Sequence, residues 1–447
     1  TSTIKTKGSR NHIFADIDLN LNQGGSYLSN LSIKVQHTSN DTYFRKYGIN
    51  TALVKSENTT LQNKIKYNFS KKDMYLDITG NIYEDLRKKT NARYEYMMPN
   101  ILFGKTFITK KLGTLDFKSN AFHNKYGKSN NIYKRKTFLT NDVIWKPASH
   151  ITKKGFVNSL EGMLRNTNYK ARNTEKYKNA DTTNEIHGVL AYKSSLPLKK
   201  DGINYSNLFS PTFMARYAPG HSRDLSDSDS TLHYTNLYSL NKTSEIESGL
   251  SAILGFDFKI NQKGEGNSEK EKLSLSLGQV FNYEENDNIS SKSSLDQKMS
   301  DVVGEINYNF SEIGNIAYKF SLDHNFNDLN YNEIITELNF GKVQFNLDYL
   351  EENNHIGNEH YVNSGVSLNF NDHNKLTFST KKNFKTDSTE LYDMGYQYSI
   401  DCLTAGLVYR REFYQDSDLE PNNTLMFTIT FVPFGTVNTP VLGNQNQ

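Results

Sequence analysis

The chain of 447 residues has one cysteine, Cys402, one tryptophan, Trp145, and eight prolines, the first of which is Pro99. A single thiol builds neither an internal disulfide framework nor a zinc site of several thiolates. No stretch approaches the ~18 uninterrupted apolar residues of a spanning helix, so helical membrane proteins are excluded. Lys and Arg number 52 against 49 Asp and Glu, a net charge of +3. Such a balance supplies no global field to recruit nucleic acid or an anionic membrane face. Gly-x-Ser-x-Gly, phosphate-cradling Gly-rich and His-Glu-x-x-His motifs are missing, and no two of the 11 histidines stand at metal-ligand spacing. The expectation is a protein without catalysis, cofactor or metal. Thr1 to Gly8 is polar and carries no apolar targeting segment, so the N-terminus reads as a cut inside a longer precursor.

What is abundant is aromatic. Tyr 28 and Phe 26 bring the aromatics to 12 %, within a hydrophobic content of only 36 %. The polar filler of Asn, Ser, Thr and Lys would by itself read as disorder. Disordered chains lack this many rings, however, and tyrosine suits surfaces that are half wet and half apolar.

Period two runs through the sequence. Leu425, Phe427, Ile429 and Phe431 alternate with Thr424, Met426, Thr428 and Thr430. Leu403, Ala405, Leu407 and Tyr409 form another such series, as do Tyr392, Met394, Tyr396, Tyr398 and Ile400. Val343, Phe345, Leu347 and Tyr349 interleave with Gln344, Asn346 and Asp348. Each series gives a strand one apolar and one polar face, and no window supports a long amphipathic helix. The fold class is all-β.

Turn signals separate the strands. Gly341-Lys342 fits a type II′ hairpin, and Gly314 and Asn371 to Asn374 punctuate similarly. Tight connections alternate with long polar ones at Glu284–Gln297, Glu351–His360 and Tyr414–Pro421. That alternation describes a large antiparallel up-and-down transmembrane β-barrel of about 22–26 strands. Length alone would allow two or three domains, a rule that single barrels overrun. The expected division is a barrel over 1–435 and a polar C-terminal tail over 436–447. Polar partners such as Lys, Asp, Gln and Asn suit a wet lumen, with the apolar face on lipid and Tyr and Phe forming interfacial girdles. The alternatives are a diffusion porin or uptake barrel, and a soluble β-rich adhesin; no fixed repeat supports a solenoid.

Several segments carry a family resemblance. Gly395 to Arg411, Asn423 to Phe431 with Pro433-Phe434-Gly435, Asn236 to Lys242, and Ser276 to Phe281 follow one another in order and spacing. Together they resemble the LPS-assembly outer-membrane protein family LptD, also called organic solvent tolerance protein. The likeness is best from about Leu232 to Gly435 and rests on hydropathy before that. It implies an outer-membrane barrel that passes lipopolysaccharide through its lumen and releases it sideways between its first and last strands. It also implies a plug lipoprotein (LptE-like) and a periplasmic bridge protein (LptA-like) that docks on a jelly-roll domain. This sequence departs from the family in three ways. The jelly-roll domain is absent, the early prolines that weaken the first strands are missing, and Asp401 replaces the first of two adjacent cysteines.

The resemblance assigns residues as well. Cys402, in a turn that strand counting places in the periplasm, would bond to a cysteine of the jelly-roll domain; the alternative is a small residue packed at a turn. The seam would lie at Ile13 and Ile17 on the first strand and at Leu425, Phe427, Ile429 and Phe431 on the last. Lipopolysaccharide is a phosphorylated, anionic glycolipid, so Lys and Arg facing the lumen could hold its phosphates. Arg410, Arg411, Lys381 and Lys382 are the candidates, and of the adjacent pair Arg410/Arg411 one must point inward. Other basic clusters, and the acidic runs at Asp227/Asp229 and Asp416/Asp418/Glu420, read as solvated loops.

Overall fold

The computed structural model describes residues 11–22, 25–41, 53–54, 58–88, 91–127, 132–174, 181–220, 224, 226, 230–243, 245–264, 268–310, 312–353, 355, 357–385, 387–413, 422–431 and 435–440. Their alternating sequences form one 24-stranded sheet. Helical content among the described residues is limited to short 3₁₀ turns such as Tyr234–Asn236 and Ser291–Ser293. No helix is long and apolar enough to cross a membrane.

The chain divides into two units, the first comprising Thr1–Ala148 with Gly162–Gly188 and the second Ser149–Glu161 with Val189–Gln447. In the first, β1 (His12–Asn22), β2 (Tyr27–Thr38), β3 (Thr60–Lys71), β4 (Met74–Asp85), β5 (Tyr94–Thr109), β6 (Gly113–Gly127) and β7 (Tyr133–Lys146) pair in sequence, each antiparallel to the next. Ile17 faces Ile33 across β1–β2, so one face is apolar, while Asp18 on the other takes a hydrogen bond from Ser32 Oγ at 2.5 Å. A small core of Val54, Leu61 and Leu86 gathers Phe14. Beside it, buried Arg93 meets Asp41 and Glu84.

After β8 (His150–Ile151), β9 (Val157–Arg172) and β10 (Thr183–Ser195) supply residues to both units. The second unit continues with β11 (Leu198–Asp201), β12 (Tyr205–Ala218), β13 (Gly249–Lys263), β14 (Glu269–Asn282), β15 (Val302–Asn309), β16 (Gly314–Leu322), β17 (Leu329–Phe340) and β18 (Val343–Glu352). Next come β19 (His360–Asn369), β20 (Asn374–Asn383), β21 (Ser388–Ile400), β22 (Leu403–Glu412), β23 (Asn422–Phe431) and β24 (Gly435–Pro440). β10 and β11 run along the same partner, β12, interrupted at Leu196-Pro197. Counting that pair as one strand and setting aside two-residue β8 leaves 22 strands among the described residues, inside the range expected from the turn pattern.

The physical cause of the interruption is Pro211. It stands inside β12 with no N–H to give to the ladder. The register holds across the gap, Ser195↔Thr212 before it and Leu198↔Phe209 after it, and Leu196 N still donates to Pro211 O at 3.1 Å.

Connections in the second unit are short at one end, as at 341–342, 370–373 and 401–402, and long at the other, as at 219–248, 283–301 and 353–359. Gly341 has φ +76, the left-handed value that the first central residue of a type II′ turn requires. Asn371 Oδ1 accepts from His373 N and Asn374 N, closing the expected turn. The runs at 414–421 and Asp227/Asp229 lie outside the described residues. β24 pairs with β23 inside the segment expected as a polar tail, so β23 has partners on both edges and β24 is the last strand of the ladder.

Candidate functional site

The site grows from the two faces of the second unit's sheet. Along β12, Tyr205, Phe209, Phe213 and Tyr217 are exposed, whereas Ser206, Thr212, Met214, Arg216 and Ala218 are buried. Register carries the split across the strands: Phe213 faces Leu254 on the open side, and Met214, Ile253 and Val280 line up on the covered side. The cover is the chain's own long connections. Leu232, Leu237, Leu240 and Ile246 from residues 219–248, and Ile289 and Leu295 from residues 283–301, are all buried.

Two glycines on the covered face make room for this segment. A Cβ on Gly278 would come within 2.3 Å of Leu237 Cδ2, and one on Gly255 within 2.5 Å of Tyr238 Oη. Polar ties then fix it. Tyr234 Oη and Ser276 Oγ donate to Asp257 Oδ1 at 2.7 and 2.6 Å. Burial and the Asp257 carboxylate push the Tyr234 phenol up, because the anion would be desolvated beside a like charge.

The strongest tie is ionic. Buried Arg216 donates from Nε to Leu240 O at 2.6 Å and places Nη2 3.0 Å from Glu247 Oε2. Glu247 Oε1 in turn accepts from the backbone N–H groups of Lys242 and Thr243, at 2.7 and 2.5 Å. Lys242 is buried beside them, and desolvation together with the Arg216 charge pulls its ammonium down to about 8. A cavity of about 260 Å³ borders the three charged groups.

A second knot joins the segment to the connection 353–359. The rings of His233, Tyr331 and His355 cluster with centroids 4.7–5.6 Å apart, His233 meeting the other two edge-on. Buried Glu352 meets His355 Nδ1 at 3.2 Å, while His355 Nε2 is buried without a hydrogen-bond partner. Burial lowers both imidazoles, for His233 with the help of its neighbour His355 and of Lys319, for His355 against the pull of Glu352.

The residues expected from sequence fall elsewhere. Arg410 lies on the same face as Asp393 and clasps it bidentately, Nε to Oδ1 at 2.7 Å and Nη2 to Oδ2 at 2.6 Å. Arg411 turns to the other face, over the Phe413 ring at 4.6 Å. Lys381 sits 5.1 Å from the Tyr361 ring, whereas Lys382, on the opposite face, meets Phe384 and Asp387. The four therefore do not converge on one pocket. Cys402 is exposed in the two-residue turn between β21 and β22. Ile13 and Ile17 share the open face of β1, and Leu425, Phe427, Ile429 and Phe431 hold alternate positions of β23 opposite Tyr409, Leu407, Ala405 and Leu403. Sequence reasoning missed the Arg216–Glu247–Lys242 group because Arg216, on β12, meets Lys242 and Glu247 only through a connection without period; the family resemblance over Asn236–Lys242 was the one visible signal.

An antiparallel meander this long, with one face open and apolar and the other polar and covered by its own connections, defines the class of outer-membrane β-barrels. The family model for LptD, LPS transport system D, matches residues 8–388, and the chain belongs to that family. The match takes in the first half, where the sequence offered only hydropathy, and ends before Gly395–Arg411. The chain is thus an outer-membrane β-barrel of lipopolysaccharide transport. No curated protein matches it. Among solved structures it is similar to a mutant of the ferric enterobactin receptor PfeA from Pseudomonas aeruginosa (9 % identity, 91 % of this chain and 73 % of that one, TM-score 0.39). It is also similar to the siderophore receptor PirA from Acinetobacter baumannii (10 % identity, 90 % and 78 %, TM-score 0.40) and to a mutant Rh. blastica porin (10 %, 67 % and 95 %, TM-score 0.25).

Two outcomes follow from the ties on the covered face. Glu247→Gln leaves the Arg216 charge buried without its counter-charge and costs about 3–5 kcal/mol, whereas the double variant Arg216→Met/Glu247→Gln recovers most of that loss. Limited proteolysis within 231–248 and the thermal midpoint of the gel-mobility shift measure both. The lowered imidazoles make the second knot acid-labile: its stability is complete above the unfolded histidine value of about 6.5 and declines as pH falls through the lower folded values. Cleavage of the 353–359 connection should rise in that window, and His355→Gln should flatten the pH dependence.

Proposed function

We propose that this barrel carries lipopolysaccharide past the covered, polar face of its sheet and releases it sideways into the outer leaflet between the first strand, β1, and the end of the ladder at β23 and β24. The observation that carries this reading is the family match over residues 8–388. No bond is made or broken: the work is guided passage. Cross-strand pairs such as Lys319–Glu333 at 2.9 Å and Arg410–Asp393 at 2.6 Å line the polar face with charges already balanced, a surface on which a phosphorylated headgroup exchanges partners. Of the four basic candidates, Arg410 and Lys381 stand on that polar face and are proposed for the exchange, whereas Arg411 and Lys382 stand on the open face and lie outside it.

In the same reading the barrel works with a plug lipoprotein (LptE-like) and receives its lipid from a periplasmic bridge protein (LptA-like) through a jelly-roll domain. The barrel domain is proposed to span 1–435, extended by the pairing of β24. Cys402 would tie the jelly-roll domain to the turn between β21 and β22. A general diffusion porin is the second reading, favoured only if the covering connections leave the polar face open to ions.

The test is a lock on the seam. Cysteines stepped along β1 at Ile13 and Ile17 are combined with cysteines along β24, in full-length protein carrying Cys402→Ser. Oxidation of a correctly registered pair should abolish surface delivery of lipopolysaccharide, and reductant should restore it. Full delivery through an oxidised, cross-linked seam would sink lateral release. Non-reducing gels of the Cys402 parent read the interdomain disulfide in the same series, as a mobility shift lost on Cys402→Ser.

A further inference from the structure

Three cations stand side by side across neighbouring strands of the first unit. Lys125 of β6 faces Arg135 of β7, and Arg135 in turn faces Arg172, the last residue of β9. Lys170, two residues before Arg172, shares their face. That face is the open one: Arg135, Lys170 and Arg172 are exposed, whereas Phe138, Tyr169 and Ala171, which point the other way, are buried. Leu139 and Leu164, further along β7 and β9 on the same side, are exposed and belong to the apolar band that a barrel turns toward lipid.

Like charges directly opposite one another weaken a sheet, and these have no counter-charge. Among the described residues no carboxylate pairs with any of the four. Asp142 and Glu95 lie on the other face and are engaged there, Asp142 by Arg165 at 2.7 and 2.8 Å and Glu95 by Asn124 Nδ2 at 2.8 Å. An anion brought from outside removes the repulsion along the row; a lipid without net charge does not.

The level of the row narrows the anion further. Lys125 Nζ lies 4.2 and 5.7 Å from the ring centroids of Tyr133 and Tyr96, tyrosines of the kind that mark the headgroup level. The row is at the strand ends joined by the connections 86–93, 128–132 and 173–182, opposite the tight turns 72–73 and 110–112. Longer connections mark the outer side of a bacterial barrel. Cations on the open face at that level meet outer-leaflet headgroups, and lipopolysaccharide is the anionic lipid that this family handles.

We infer that Lys125, Arg135, Lys170 and Arg172 form a binding site for the phosphates of lipopolysaccharide resident in the outer leaflet, outside the barrel and apart from the path of the transported lipid. The phosphates bridge the opposed cations through charge-assisted hydrogen bonds, while the acyl chains lie along Leu139 and Leu164. The site rests on the outer-membrane class of the chain and not on lateral release.

A photo-crosslinking amino acid in place of exposed Thr137, which lies between Arg135 and Leu139 on the open face, reads this site alone. Full-length protein in detergent is titrated with lipopolysaccharide and irradiated, and the adduct is followed on gels. The adduct should saturate, and Arg135→Gln/Arg172→Gln should raise the half-saturating concentration about tenfold. Arg135→Lys/Arg172→Lys, which keeps the charge, should retain most of the affinity. Dephosphorylated lipopolysaccharide should bind the unsubstituted row as weakly as the intact lipid binds the Gln variant. Heat-modifiable gel mobility confirms that every variant is folded. No transport step is read, so a failure of lateral release leaves the titration unchanged. Equal half-saturation with and without the two arginines, equal adducts from dephosphorylated lipid, or full competition by equimolar phosphatidylglycerol would each overturn the assignment.

Discussion

Hydrocarbon does not solvate a backbone N–H or C=O, and each one left unsatisfied there costs several kcal/mol. The rest of this structure depends on that constraint. It forces neighbouring strands into continuous ladders, and the ladders in turn fix which side chains share a face. From Tyr205↔Gln262 to Ala218↔Gly249 the β12–β13 pairing runs without a register shift, so Phe209, Phe213 and Tyr217 stay on one side and Thr212, Met214 and Arg216 on the other. Where proline removes a donor, as at Pro211, one ladder bond is lost while the register on either side holds.

The covered face shows a different balance. Its connections bury leucines against the sheet, and they also bury Arg216, Lys242 and Glu247, whose desolvation is offset only by their mutual attraction and by hydrogen bonds to backbone. An arrangement of this kind gains little stability over an apolar one, but it specifies one position for the inserted segment. The His233–Tyr331–His355 ring cluster does the same for a second connection.

Period two made the strands legible because the side-chain period of a ladder is the same in sequence and in space. The faces of β18, β21, β22 and β23 could be read residue by residue, as could the Gly341 turn. Arg410 and Arg411 had to diverge, and they do. Their partners could not be read: Asp393 becomes a neighbour of Arg410 only through the register of β21 and β22. Irregular connections carry no period, which is why the Arg216–Glu247–Lys242 group and the cluster of His233, Tyr331 and His355 were invisible. β24 escaped notice because six residues with two threonines and a terminal proline offer almost no apolar alternation.

The central claim is that the chain moves a lipid and not ions or small solutes. The most direct measurement follows labelled lipopolysaccharide to the outer surface of proteoliposomes holding the full-length protein and its delivery partners, with ionic conductance of the same vesicles recorded in parallel. The account predicts that lipid arrives while conductance stays low, because the connections 219–248 and 283–301 cover the polar face. Large, steady conductance with no lipid reaching the surface would contradict it and identify a porin.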